Sequence, residues 1–141
     1  MVGPALRKQH SHKSIHDGAH AEASELTEIV ERLFEEQRAE ECLKAGEMLI
    51  EFWQTRVIAH ADSEEEEGGL YHEMKEKEPA LRDDIIQLTR DHDILRKLVS
   101  ELEKDVPEKK AIEQEHLHKF RALLIVNEIH SRSEEAILPE H

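Results

Sequence analysis

Four segments of this chain carry apolar residues at alternating steps of three and four, and each apolar line includes or runs into a histidine. Such spacing puts side chains on one face of a helix, because successive residues turn by about 100°. The first segment, from about His10 to Arg38, reads Ala19, Ala23, Leu26, Val30 and Leu33, and extends backwards to His16 and His12. The second, about Glu40 to Glu66, reads Leu49, Phe52, Trp53, Val57 and His60, with Glu64 continuing its stripe. The third follows Pro79, a residue suited to a first helical turn, and reads Leu81, Ile85, Leu88, His92, Leu95, Val99 and Leu102. The fourth reads Leu117, Phe120, Leu124, Asn127, His130 and Glu134, and Leu138-Pro139 closes it. Gly68-Gly69 ends the second segment, and Leu70 to Glu78 has room for a short turn holding Tyr71 and His72. The stretch Asp105 to Lys110, with Pro107, reads as the last connection. The expected fold is therefore all-α: an up-down-up-down antiparallel four-helix bundle, one domain spanning residues 1–141.

Composition agrees with long helices. Five glycines and four prolines in 141 residues leave few turns, and 4% aromatics make the core thin and aliphatic. No apolar run approaches the roughly 20 residues of a membrane span. Met1 to Gln9 lacks an apolar signal core, so a cytoplasmic location is expected. A net charge of −14 disfavours nucleic acid and anionic membrane surfaces as partners. A homo-oligomer is left open. The single Cys42 excludes a disulfide framework within the chain and a cysteine-rich zinc site, and it lies far from the histidine end.

The bundle topology brings the polar members of the four stripes together. The start of the first helix, the end of the second, the start of the third and the end of the fourth share one end. His12, His16, His60, Glu64, His92, His130 and Glu134 all fall there, and no stripe is interrupted by histidine at the opposite end. His60/Glu64 and His130/Glu134 repeat one spacing. Residues four apart on a helix differ by about 40° in direction, so each pair is a two-ligand clip. His10 and His20 fall off the line and read as rim or solvent residues.

Taken singly, these residues have plain explanations. A lone inward histidine is usually a satisfied core residue, and Glu64 and Glu134 sit in acidic runs that are normally solvated. Seven together are different, because buried carboxylates and imidazoles cost several kcal/mol each without partners. A multivalent cation supplies the compensation. Imidazole suits iron, zinc, copper and nickel. A structural zinc needs only four ligands, whereas two iron ions bridged by two carboxylates use the whole set, with zinc as a substitute. The ferritin-like alternative needs Glu-x-x-His on two helices, but Val57, Thr89 and Asn127 stand three before His60, His92 and His130. Glycine-rich phosphate loops, Gly-x-Ser-x-Gly and His-Glu-x-x-His are absent.

Over essentially its whole length the chain resembles the hemerythrin-like (HHE cation-binding) domains. His12-Lys13-Ser14-Ile15 looks like the family's first-helix motif, His60 with Glu64 its second, His92-Asp93-Ile94-Leu95 its third, and His130 with Glu134 its fourth. The resemblance implies two non-haem irons, bridged by Glu64 and Glu134, with His12, His60, His92 and His130 in terminal positions. An open position would bind oxygen, nitric oxide or peroxide, for sensing, detoxification or iron handling. Oxygen carriers of the family have a second histidine where this chain has Leu88, and an apolar residue where it has His16. His16 is thus the expected extra ligand, and simple reversible oxygen carriage is disfavoured. Asn127, Tyr71 and Trp53 are expected near the site, as gating or as packing residues. The alternative function is a metal-stabilised helical interaction module without redox activity.

Overall fold

In a computed structural model, residues 4–138 are described along the backbone and residues 12–138 in their side chains. Helix α1 spans Pro4–Glu35, α2 Ala39–Phe52, α3 Ala59–Glu65, α4 Leu70–Lys77, α5 Arg82–Lys109 and α6 Gln114–Ile137. The described residues include no strand. Helices α2 and α3 are one continuous rod joined by a π-helical segment, Trp53–Ile58, and a short 3-10 turn, Pro79–Leu81, leads into α5. Helix α1 packs on α2 and α6, and α5 packs on α6 and on the α2–π stretch, so the four long segments close a ring. No helix among the described residues is long and apolar enough to cross a membrane.

The apolar stripes meet as the 3.6-residue period requires. Ala19, Ala23, Val30, Leu49, Trp53, Leu95, Val99, Leu102, Phe120 and Leu124 are buried in the main core. A second, smaller cluster holds Tyr71, Met74, Ile85, Leu88 and Leu138. The order along α5 separates them: Ile85 and Leu88 belong to the small cluster, Leu95 and Val99 to the large one, and His92 lies between. The polar layer thus lies between two apolar clusters. Helix α4, where the sequence suggested one short turn, supplies the cap through Tyr71 and Met74.

Three local features differ from the expected pattern. Helix α1 begins at Pro4, so His12 and His16 stand well inside a helix. The π-helical segment, where the amide of Ala59 bonds five residues back to Gln54 O, inserts a wide turn immediately before His60. Helix α5 runs on through Pro107, which was expected in a connection. Proline there removes a single amide donor in the last turn, while Val106 is fully buried and anchors that turn. Lys110 ends it with a left-handed φ of 53°, its amide bonding Val106 O.

The far end of the bundle also holds a histidine in its core, contrary to expectation. His116 is fully buried, but both its nitrogens are occupied. Nδ1 accepts the amide of Glu113 at 2.8 Å, and Nε2–H donates to Asp105 at 2.6 Å. It caps the start of α6. Cys42 is buried at that same end, its thiol 3.5 Å from Val30 O, as an ordinary helix residue.

Candidate metal centre

The seven residues singled out in the sequence meet in one layer. Helix α1 brings His12 and His16, α3 His60 and Glu64, α5 His92, and α6 His130 and Glu134. Glu64 and Glu134 are almost completely buried at its centre. Glu64 turns Oε1 to His92 Nε2 at 3.4 Å and Oε2 to His12 Nε2 at 3.3 Å and His60 Nε2 at 3.5 Å. Glu134 is divided in the same way: Oε2 lies 3.4 Å from His130 Nε2, while Oε1 lies 3.3 Å from His16 Nε2 and 3.9 Å from His12 Nε2. Each carboxylate therefore spans two groups of imidazoles, His92 with His130 and His12 with His16 and His60. Ligand-type atoms of Glu64, His92, His130 and Glu134 are close enough to hold a metal ion, as are those of His12, His60 and Glu64.

The outward ring nitrogens fix where the hydrogens are. Nδ1–H of His16 donates to Glu135 at 2.7 Å, that of His92 to Glu65 at 2.6 Å, and that of His130 to Asp91 at 3.0 Å. A carboxylate only accepts, so these three nitrogens carry the ring hydrogens. Neutral rings then turn Nε2 lone pairs inward, towards carboxylate oxygens and towards one another: Nε2 of His92 and His130 are 3.0 Å apart. Tyr71 contributes one hydrogen to the layer, and its hydroxyl donates to Glu134 Oε2 at 2.6 Å. Three buried atoms, His60 Nε2, Glu64 Oε2 and Glu134 Oε1, have no hydrogen-bond partner. While the rings are neutral the layer is rich in lone pairs and short of hydrogens, a condition that either protons or a bound cation relieve.

The electrostatics point the same way. Burial, the largest influence, pushes the Glu64 carboxyl upward, but the imidazoles of His12, His60 and His92 beside it outweigh it and hold it well below the usual range. Glu134 is likewise lowered, burial being outweighed by His130 and His16. For His16 and His130, burial pulls downward, and the carboxylates beside them more than reverse it, raising both above 6.5. Burial first, and then the charges of Glu134 and Glu64, raise the Tyr71 phenol, so it stays a donor. The attraction that favours protons on the neighbouring imidazoles would also favour a metal cation, so the cluster could hold one.

On the core side of the layer lies a cavity of about 30 Å³. Ala19, Val57, Leu95 and Asn127 line it together with His60 and Glu64. That is room for a water-sized molecule. Of the other expected neighbours, Tyr71 enters the layer itself, whereas Trp53 belongs to the main core. His20 sits half-buried at the rim, Nδ1 3.5 Å from Glu128, and the His10 side chain lies outside the described residues. The sequence reading missed Glu65, Asp91 and Glu135, whose acidic surroundings resemble solvated surface. Their only signal was position, since two of them directly follow Glu64 and Glu134.

Comparison of the chain with protein-family models, with curated proteins and with solved structures returns no match.

Proposed function

We propose that this is a cytoplasmic non-haem di-iron protein of the hemerythrin-like kind, which binds oxygen, nitric oxide or peroxide for sensing, detoxification or iron handling. The observation that carries the reading is the division of Glu64 and Glu134, each giving its two oxygens to different imidazole groups. Two bridging carboxylates with five imidazoles fit a pair of ions, and a single tetrahedral zinc would leave several of these groups unused. On this reading His92 and His130 serve one ion, and His12, His16 and His60 the other. Zinc is a substitute for either.

Cross-helix pairs support an up-down-up-down antiparallel bundle as the frame. Between α1 and α6 the pairs are Asp17–Arg132 and Glu31–Arg121, rising in one helix as they fall in the other. Between α5 and α6 they are Asp91–His130, Glu101–Lys119 and Asp105–His116. Asp62–Arg96 with Glu64–His92 follow the same rule between α3 and α5.

Bound iron supplies one-electron chemistry and positions at which a small ligand exchanges. The chain's own residues shape the surroundings. Val57, Ala19 and Leu95 keep the cavity small, which favours a diatomic molecule over an organic substrate. Leu88, where carriers of the resembled family have an imidazole, packs beside Tyr71 in the capping cluster. Tyr71 thus presents a hydroxyl, hydrogen-bonded to Glu134, on that side of the layer. The test is reactivity: ferrous protein should take up oxygen or nitric oxide, or consume peroxide. Iron-loaded protein inert to all three would leave only the metal-stabilised module.

A further inference from the structure

Both His-x-x-x-Glu segments are followed at once by a second glutamate, Glu65 after Glu64 and Glu135 after Glu134. Adjacent residues on a helix point about 100° apart. The first glutamate therefore faces inward, and the second lies along the seam with the neighbouring helix. Glu65 reaches across to α5 and accepts Nδ1–H of His92 at 2.6 Å; Glu135 reaches across to α1 and accepts Nδ1–H of His16 at 2.7 Å. Each outer carboxylate is held in turn by an arginine. Arg96 Nη2 donates to Glu65 at 2.6 Å, and Arg132 Nη2 donates to Glu135 at 3.1 Å. Each arginine is anchored to a further aspartate, Asp62 for Arg96 and Asp17 for Arg132. The outer glutamates are 25% and 14% exposed, unlike the freely solvated members of the same acidic runs. The two halves of the layer thus repeat one device: inner glutamate, outer glutamate, a histidine from the next helix, and an arginine clamp.

We propose that Glu65 and Glu135 are matched positioning residues for the two metal ions, locking His92 and His16 with Nδ1 protonated and Nε2 aimed inward. A carboxylate behind an imidazole also raises its basicity as a ligand, and an outer partner of this kind typically changes metal affinity by about 10–100-fold. Arg96 and Arg132 hold each carboxylate in place and offset part of its charge. The proposal rests on the di-iron reading above and deepens it, because the same device built behind His92 is built behind His16. His16 is thereby assigned as a ligand of equal standing.

The test is Glu65→Gln and Glu135→Gln, read by zinc competition with a chelator and by nitrogen–proton NMR of the histidine rings in zinc-loaded protein. Wild type should bind two zinc ions and show slowly exchanging Nδ1–H signals for both His16 and His92. Glu65→Gln should move the His92 signal alone, Glu135→Gln the His16 signal alone, and each should weaken one zinc by about 10–100-fold. Two zinc ions bound with wild-type affinity and unmoved ring signals in both variants would overturn the proposal while leaving the metal reading intact. Failure of wild type to bind metal would instead remove the reading on which it rests. If the glutamine variants lose helical signal, Arg96→Lys and Arg132→Lys keep the charge and lose the planar fork. They should shift the same two signals and weaken zinc several-fold; unchanged signals and affinity would overturn the proposal equally.

Discussion

The hydroxyl of Tyr71 donates to Glu134 Oε2 at 2.6 Å, and its ring stacks on that of His92 at 5.4 Å between centroids. A residue of the two-turn helix α4 thus reaches the centre of the buried layer and supplies a hydrogen to it. Tyr71→Phe removes that hydrogen and leaves a buried carboxylate short of a donor. The metal-free variant should lose about 1.5–3 kcal/mol in chemical denaturation, the range for a hydrogen bond to a charged group. With metal loaded the loss should shrink, because a cation takes over the same oxygen. An equal loss in both states would contradict this role for Tyr71.

The pH dependence of stability should differ in sign between the two states. In metal-free protein His16 and His130 are raised above 6.5, so their contribution is full below that value and fades as pH rises through their folded-state values. Glu64 and Glu134 are lowered below 4.5, so theirs is full above that value and is lost only as pH falls well below it. Metal-free protein should therefore be most stable between these ordinary values, near pH 5–6, and weaken towards pH 8. Metal needs the same nitrogens free of protons, so the metal-loaded form should gain stability over that interval and release metal on acidification. Melting curves with and without chelator check this; parallel profiles would count against metal in the layer.

His16→Leu separates a ligand from a core histidine. If His16 holds metal, the variant should lose iron stoichiometry or change the iron spectrum, as His92→Ala should. A full complement of iron with an unaltered spectrum would return His16 to the plain core. In either case metal-free protein should lose stability, because leucine leaves the buried Glu134 and its neighbour Glu135 without their imidazole partner.

Gly69 fixes the turn that brings α4 under the layer. A Cβ there would stand 2.9 Å from Glu64 O and 2.9 Å from Glu66 O, both backbone atoms that cannot swing aside. Gly69→Ala should cost about 1–3 kcal/mol, the usual scale of steric overpacking. It should also weaken metal binding, since Tyr71 and Glu64 flank that turn. Gly18→Ala, where a Cβ meets nothing within 4 Å, is the control. Equal stability of the two variants would contradict this account of the turn.

The helical stripes were legible because burial follows a fixed period, and His92 between Leu88 and Leu95 is visible from spacing alone. The seven inward residues followed once four helices were assumed to alternate in direction. What spacing could not show was anything decided between helices. Glu65 and Glu135 look like members of acidic runs until α5 and α1 are beside them. Helix α4 is too short for a period to declare itself, so Tyr71 stood only as a neighbour. His116 was passed over because its partners, the Glu113 amide and Asp105, lie in a cap and on another helix. Pro107 misled for a different reason: burial of Val106 outweighs one missing amide bond in a last turn.

On the di-iron reading Glu64 and Glu134 join two metal ions. The most direct measurement is iron content per chain, with an optical spectrum, after anaerobic loading with ferrous iron and exposure to air. Two irons per chain and near-ultraviolet charge-transfer absorption from a coupled ferric pair are expected, both lost in Glu64→Ala and Glu134→Ala. A colourless protein retaining a single zinc, or one iron per chain with an uncoupled spectrum, would contradict it.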